Sequence, residues 1–224
     1  MYYLIDSDDN PKIVGSDYPQ SWKFTPEYKK KCQNANAVYA FCKYIDAFKR
    51  PDFTPDLGGL VLSRRAKLTD IVSTTVFTGL FMNKSAKDIF SNCNLGDYEF
   101  YKAQLFTKSD VIDYYYLFQF TNVLNFVDFS KTIIKYNIYY PQRQTIQING
   151  FDSFAAYQEF HNKTLEVIVP TKISFKAGID RALDYMLIPY LSVFEGIASE
   201  NLKSKIESAG ITGIKFVPIE IVFE

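Results

Sequence analysis

Residues 79–106, GLFMNKSAKDIFSNCNLGDYEFYKAQLF, align without a gap with residues 195–222, EGIASENLKSKIESAGITGIKFVPIEIV. Asn83 aligns with Ser199, an offset of 116 residues, and Asn and Ser are both favourable helix N-caps. In each stretch an apolar stripe at helical spacing comes next, and a segment of alternating apolar and polar residues follows. Each stretch therefore predicts a capped amphipathic helix that leads into a strand.

This correspondence predicts an internal duplication of a helix–strand unit over residues 83–106 and 199–222. Asn94 and Gly210 align as well, and both tolerate the left-handed conformation that ends a helix. The alternative is that short amphipathic units of this kind resemble one another by chance. Side chains of similar character coincide along the two stretches, namely Lys87 with Lys203, Phe90 with Ile206, Leu95 with Ile211, Phe100 with Phe216 and Leu105 with Ile221.

Strand-like patterns occupy much of the remaining chain. Tyr and Phe, which favour half-buried strands, are abundant, with 17 Tyr and 20 Phe. The sequence predicts an α+β fold of mostly antiparallel sheet with a few amphipathic helices packed on it. Strands are predicted at residues 2–5, 98–106, 112–120, 133–140, 145–148, 166–169 and 172–176, the last two separated by Pro170.

Two helices are predicted outside the duplicated units. Thr25 followed by Pro26 is typical of a helix start, and apolar residues then recur at three- and four-residue steps as far as Phe48. Asp152 can cap a short helix over residues 153–161.

The composition is that of a folded globule, with 47% hydrophobic and 22% charged residues, and we expect one domain over residues 1–224 with a weak subdomain boundary near 51–60. Lys+Arg 25 balance Asp+Glu 25, so no global field would draw the chain to nucleic acid or to a membrane. The apolar runs are too short to cross a bilayer, and the start MYYLIDSDDN does not resemble a signal peptide. We therefore expect a cytoplasmic protein without a nucleic-acid or membrane partner.

The residue patterns that usually carry catalysis or metal binding are missing. His161 is the one histidine, and Cys32, Cys42 and Cys93 show no C-x-x-C spacing. No nucleophile elbow, Walker loop or dinucleotide-binding motif occurs. We predict no catalytic residue, no cofactor and no metal ligand, and we interpret His161 as a positive group near the end of a helix.

Aromatic runs and basic clusters are the candidates for partner binding. The tyrosine runs at 114–116 and 139–140 put rings on both faces of a strand, so one ring of each run can stay outside the core. Packing is the commoner role of such rings, and we interpret the basic clusters at 29–31 and 64–67 as solvated faces. Because exposed Tyr and Arg are typical of protein interfaces, the candidate partner-binding residues are Tyr115, Tyr139, Tyr140 and Arg143.

From about Leu60 to the C-terminus the chain resembles a bacterial family of immunity proteins from polymorphic toxin systems, formerly described as a domain of unknown function. The segments that carry the resemblance are LSRRAKLTDIVST, GLFMNKSAKDIF, YEFYKAQL and GIASENLKSKIESAGITGIKFVP. The ending is the clearest part. Its residues Ser199, Leu202, Lys203, Ile206, Gly210, Thr212, Gly213 and Phe216 resemble the family's serine-capped helix, glycine turn and terminal strand.

The resemblance implies a cytosolic protein that binds and neutralises a cognate toxin without catalysis of its own. Covering the active site of a toxin needs a rigid complementary surface of roughly 800 Å² per partner and no chemistry. Two alternatives stay open. One is a cytosolic module that binds a small ligand or peptide in a tyrosine-lined cleft between sheet and helices, and the other is an enzyme that relies on carboxylates and tyrosines.

Overall fold

Two mixed sheets with helices packed on them make up the molecule, which confirms the α+β prediction. The computed structural model describes residues 1–32, 34, 37–38, 40–42, 48–76, 79–138, 144–164, 168–188, 191 and 195–224. The helices whose bounds lie within these residues are α1 (Pro11–Val14), α2 (Pro26–Lys31), α3 (Lys84–Ser91), α4 (Phe154–Lys163) and α5 (Glu200–Ser208), with a 3₁₀ helix at Val123–Phe126. Residues 38 and 40–42 are helical as well.

The first sheet has five strands and the second has seven. The first runs in the order β2–β3–β5–β6–β4, with β2 (Ser21–Phe24), β3 (Leu57–Leu62), β4 (Leu80–Met82), β5 (Tyr98–Phe106) and β6 (Val111–Gln119). The second runs in the order β10–β11–β1–β12–β9–β7–β8, with β1 (Tyr2–Ser7), β7 (Ile133–Ile138), β8 (Gln144–Asn149), β9 (Ile168–Phe175), β10 (Tyr185–Met186), β11 (Gly196–Ser199) and β12 (Ile214–Phe223). Neighbouring strands are antiparallel except for β3 with β5 and β9 with β12.

Both predicted helix–strand units are present, each with the cap that the sequence indicates. The Asn83 side chain accepts a hydrogen bond from the Ala86 amide at 3.0 Å at the start of α3, and β5 follows the helix. The Ser199 hydroxyl accepts from the Leu202 amide at 3.2 Å at the start of α5, and β12 follows. A strand also precedes each helix, β4 before α3 and β11 before α5.

The equivalence of the two units extends to their sheets. β6 lies between β4 and β5 in the first sheet, and β1 lies between β11 and β12 in the second. Phe100 of β5 lies opposite Leu117, and its alignment partner Phe216 of β12 lies opposite Ile5. β3 and β9 then follow in parallel, and β2 and β7 follow antiparallel. The second unit therefore repeats the plan of the first, except that β1, from the other end of the chain, fills its central place.

An aspartate joins the two units at the start of α3. The Asn83 side-chain amide donates to one carboxylate oxygen of Asp70 at 2.8 Å. The backbone amide and the hydroxyl of Thr212, in the turn after α5, donate to the other oxygen at 2.9 and 2.7 Å. Asp70 thus connects the N-cap of α3 to the turn that follows α5.

A second aspartate repeats this arrangement at the start of α5. The Ser199 hydroxyl donates to Asp184 at 2.5 Å, and the Asn94 backbone amide, in the turn after α3, donates to the second carboxylate oxygen at 2.9 Å. Burial alone would raise the pKa of Asp184, but the hydrogen bonds from Ser199, Asn94 and Asn201 outweigh it and lower the pKa. The balance is the same at Asp70, whose pKa is also lowered. We call Asp70 and Asp184 the aspartate locks.

Two hydrophobic cores lie on opposite faces of the second sheet. The first core contains Phe90 of α3, Leu202 of α5 and Ile5 of β1 together with the buried residues of the first sheet, so both helices pack in the layer shared by the two sheets. The second core contains Leu4 on the other face of β1 and Tyr157 of α4. Because successive residues of a strand point to opposite faces, β1 contributes to both cores.

The single helix predicted as far as Phe48 is interrupted after Lys31, although residues 38 and 40–42 are helical. α2 ends at Lys31, and Ala37 instead forms a parallel bridge with Asp56. The buried Tyr28 explains the break, because its hydroxyl donates to the Asp56 carbonyl and accepts from the Val38 amide at 3.1 Å. The chain therefore folds back around this ring, and tertiary contacts override the helical periodicity.

Two smaller predictions are corrected as well. Pro170 does not break a strand, since β9 is continuous through it. β12 pairs with β9 only from Lys172 onward and the register with β7 shifts next to the proline, so its missing N–H is tolerated there. The N-cap of α4 is Ser153, whose side chain accepts from the Ala156 amide at 3.1 Å, and not Asp152. Residues 139–140 and 166–167 of the predicted strands lie outside the described residues.

Candidate interaction surface

Exposed rings and cations cluster beside β2, an edge strand of the first sheet. Three segments build it: residues 11–24, 63–68 and 107–111. The first two are joined through the backbone, where the Lys67 amide donates to the Val14 carbonyl at 2.8 Å and the Ser16 amide donates to the Arg65 carbonyl at 3.1 Å. We name this surface the basic aromatic face and define it by Tyr18, Trp22, Lys23, Arg64, Arg65 and Lys108.

The aromatic part of this face is unusually open to solvent. Trp22, the single tryptophan of the chain, is 53% exposed, and Tyr18 is 61% exposed. The Lys23 ammonium lies 4.0 Å from the centroid of the Trp22 ring, within the range of a cation–π contact. Of the seven exposed large hydrophobic residues in the described chain, five belong to the three segments: Ile13, Tyr18, Trp22, Leu68 and Val111.

The three segments of the face carry a positive charge, with six Lys and Arg residues against Asp17 and Asp110. Asp17 accepts from the backbone amide and the guanidinium of Arg65, both at 2.9 Å. These bonds, led by the one from the backbone amide, lower the pKa of Asp17. Lys23, Arg64 and Lys108 take part in none of the ion pairs found among the described residues.

Two adjoining hollows give the face a concave shape. One, of about 400 Å³, is lined by Asp17, Tyr18, Trp22 and Arg65, and the other, of about 700 Å³, is lined by Val61, Leu62, Thr107 and Lys108. They share Lys23, Ser63 and Arg64 as their common wall. A protruding partner group would therefore meet rings on one side of this wall and aliphatic and hydroxyl groups on the other.

Of the predicted site residues, the structure describes Tyr115, which lies outside the basic aromatic face. Tyr115 is half-buried on β6, with the Lys87 ammonium of α3 at 4.6 Å from its ring centroid. Its equivalent on β1 is Tyr3, which lies under Lys203 of α5 at 5.1 Å, so the contact belongs to the repeated plan. Tyr139, Tyr140 and Arg143 lie outside the described residues. A role of these four residues in partner binding stays a prediction.

The basic aromatic face does not follow from the sequence patterns, although part of its signal is local. By itself the cluster at 64–67 favours a solvated charge run, and Trp22 belongs to no motif. A lone Trp next to Lys within a short polar strand is the pattern that could have drawn attention to this segment. That the two segments share one surface depends on their backbone pairing, which no local pattern reveals.

A third hollow, of about 600 Å³, lies beside the N-terminus of α4. Its lining includes Asn122, Asp128, Asp152 and Lys176 but no tyrosine, so it does not match the tyrosine-lined cleft of the small-ligand hypothesis. Hydrogen bonds from the Ser130 hydroxyl at 2.6 Å and the Ser130 amide at 3.0 Å lower the pKa of Asp128. This carboxylate thus closes a local turn.

The other chemically active side chains are dispersed. His161 lies in the last turn of α4, as predicted, with its ring centroid 6.0 Å from that of Tyr157. Cys32 is buried and Cys93 half-buried, and burial raises the pKa of both thiols. No cluster of His, Cys, Asp and Glu with the geometry of a metal site occurs in the part of the chain that the structure describes.

A family model gives the comparison of this chain with known proteins. The model of an immunity protein family, Imm11, matches residues 46–220, a span that includes both aspartate locks, β3 to β11 and the first seven residues of β12. No curated protein matches the chain. Among the described helices, none has the length and apolar character required to cross a membrane.

Proposed function

The chain belongs to the Imm11 immunity protein family, and from this premise we propose that it binds and neutralises a cognate protein toxin in the cytosol of the cell that makes it. The family match over residues 46–220 is the observation that carries the proposal. Neutralisation would be stoichiometric: the chain covers the toxin and catalyses nothing.

The architecture supports an inhibitor of this kind. A protein that acts by shape must hold its surface in place, since each side chain ordered on binding costs about 0.5–1.5 kcal/mol. The aspartate locks connect two helix caps to two turns across the joint between the units, and the two helices pack in one core shared by both sheets. This scaffold would keep the surface preorganised.

A survival assay tests the proposal. The toxin domain encoded beside this gene would be expressed in a susceptible bacterial host, alone and together with the full chain. We expect growth only when the chain is present. Failure to protect against any toxin encoded next to the gene would contradict the proposal.

A titration separates binding from catalysis. If the chain acts by occlusion, residual toxin activity should fall in proportion to added chain and reach its minimum near one equivalent. Loss of toxin activity at far below one equivalent would show turnover and would contradict the stoichiometric mechanism. Size-exclusion chromatography with light scattering should give the mass of the complex.

A further inference from the structure

We propose that the basic aromatic face is the surface that contacts the toxin, and that the toxin presents to it an acidic patch around an apolar centre. This inference rests on the proposed function and adds to it a location and a partner chemistry. Its basis is the juxtaposition of Tyr18 and Trp22 with Lys23, Arg64 and Lys108 around two adjoining hollows.

The exposed apolar side chains of the face indicate a site that a partner covers. A chain that exposes its one tryptophan and a neighbouring tyrosine lacks the favourable free energy that burial of these rings against a partner would supply. Exposed apolar residues that cluster, as opposed to being scattered, mark interaction sites. Trp, Tyr and Arg are also the residues that most often dominate binding energy at protein interfaces. All three types meet on this face.

The charges define the kind of partner. Lys23, Arg64 and Lys108 take part in none of the ion pairs formed by the described residues, and Asp17 is occupied by Arg65. Opposing carboxylates on a partner would complete the pairs left open here, and such complementarity speeds the encounter of two proteins. Because the whole chain carries no net charge, the attraction is local to this face.

The repeated plan of the molecule provides an internal comparison. β7 occupies in the second sheet the place of β2 in the first, yet β7 is covered along its length by β8. In the described chain, the outer side of β2 has only the single bridge between Ser21 and Thr74. The unit that lacks the extra strand is therefore also the unit that carries the exposed rings and cations.

A protein fits this face better than a nucleic acid does. Recognition of single strands relies on several rings on which successive bases stack, and phosphate binding is favoured by a broad positive field. Here the aliphatic side chains of Ile13, Leu68 and Val111 accompany the rings, and the net charge of the chain is zero. Aliphatic groups beside Trp and Arg are typical of the centre of a protein interface.

Binding of the purified toxin domain encoded beside this gene, inactivated at its own active site, tests the proposal. Trp22→Ala should weaken binding by about 30-fold or more, since the ring would be a central anchor. Arg64→Glu should weaken binding by about tenfold at low salt, mainly through slower association, and this loss should shrink as salt screens the charges.

Matched controls come from the other sheet. Lys135→Glu reverses an exposed charge on β7, and Val222→Ala shortens an exposed apolar side chain on β12. Each should change affinity by less than about twofold, as is usual outside an interface. Circular dichroism and the thermal midpoint should be unchanged for all four variants. Trp22 and Arg64 lie in different segments, so either variant alone tests the face.

The outcomes separate this proposal from the proposed function. If the wild-type chain binds the toxin and protects cells while Trp22→Ala and Arg64→Glu bind as tightly as the wild type, the face is not the contact surface, although the function stands. If the wild type neither binds nor protects, both proposals fail. Wild-type binding to a short single-stranded RNA that is lost in Trp22→Ala, without an effect on toxin binding, would assign the face to nucleic acid and overturn the inference.

Discussion

In the first sheet β6 follows β5 through a tight turn, in which the Thr107 amide donates to the Asp110 carbonyl at 2.8 Å, whereas in the second sheet the equivalent strand β1 comes from the other end of the chain. Both central strands nevertheless keep the same register with their neighbours, and a lysine of the helix lies over a tyrosine in each unit. Chain connection is therefore not what determines the plan of a unit. The helix caps, the aspartate locks and the strand pairing are common to both.

The two units differ most at their outer edges. The second continues through β7 to β8, whereas the first stops at β2 and exposes Trp22 and Lys23. In the part of the chain that the structure describes, no further strand covers the outer edge of the first unit. We expect a partner to bind where the two units differ, and we expect the features that they share to stabilise the fold.

The largest effect is expected at the turn after α5. Gly213 has φ +101°, and a Cβ there would lie 1.8 Å from the Ile71 carbonyl oxygen, so the backbone of the first unit would have to move. We expect Gly213→Ala to lower the free energy of unfolding by at least about 4 kcal/mol, measured by urea titration. Gly210→Ala is the control: its φ is +68° but its Cβ would meet open space, so a cost of only about 1 kcal/mol is expected. Similar losses in the two variants would show that the units do not meet tightly at this turn.

Removal of either aspartate lock should come next in size. Asp70→Ala and Asp184→Ala each leave a cap and a turn without their acceptor, and we expect each to lower the free energy of unfolding by about 2–4 kcal/mol at pH 7. Because the native pKa of both carboxyls is lowered, their stabilisation is present above the unfolded value near 3.8 and declines as pH falls through the lower native value. The deficit of each variant should therefore shrink in acid. A large loss in one variant and none in the other would break the equivalence of the units.

Glu195 is one of the aligned positions at which the two units differ in charge. It aligns with Gly79, whose backbone amide bonds to it, and burial raises the pKa of its carboxyl to about 8. The native state then keeps a proton that the unfolded state releases above about pH 4.5, so stability should fall as pH rises from 4.5 to 8.

Glu195→Gln should remove this dependence and raise the free energy of unfolding at pH 8 by about 2 kcal/mol. Urea titrations of wild type and variant at pH 5 and pH 8 measure it. Parallel pH profiles of the two proteins would contradict a buried protonated carboxyl.

The smallest effect is expected at the two caps. Asn83→Ala and Ser199→Ala each remove the bond to the first turn of a helix and one of the donors to an aspartate lock, whose other donors stay, at a cost of about 1–2 kcal/mol. Asn83→Ser, which copies the cap of the other unit, should cost no more than about 0.5 kcal/mol. Thermal unfolding followed by circular dichroism is sufficient to rank the three. A Ser variant as unstable as the Ala variant would mean that the caps are not interchangeable and would sharpen the difference between the units.

The repeated units could be predicted because their signals are local. The caps Asn83 and Ser199, the apolar stripes and the alternating strands each depend on neighbours a few residues away. The contact between Asp70 and Thr212 spans 142 residues, so it leaves no pattern in a short window of sequence. The same holds for Tyr28, whose bonds to distant backbone ended a helix that local periodicity favoured.

The basic aromatic face could not be predicted from the sequence, for a related reason. Its three segments become one surface only through pairing such as that of Ser16 with Arg65. The tyrosine run at 114–116 is a candidate for partner binding on its sequence, but Tyr114 and Tyr116 are buried and pack in the core. A run of similar residues does not show which of its side chains are exposed, whereas a binding surface consists of the side chains that the fold leaves exposed.

The origin of β1 has a consequence for biosynthesis. All strands of the first sheet are encoded together from β2 to β6, so this sheet can close while the ribosome is still translating the rest. β1 is translated before the strands of the first sheet, whereas its partners β11 and β12 are translated after them. Until then its apolar residues Leu4 and Ile5 have no sheet to enter, which makes the partly made chain the stage most prone to aggregation and most in need of chaperones.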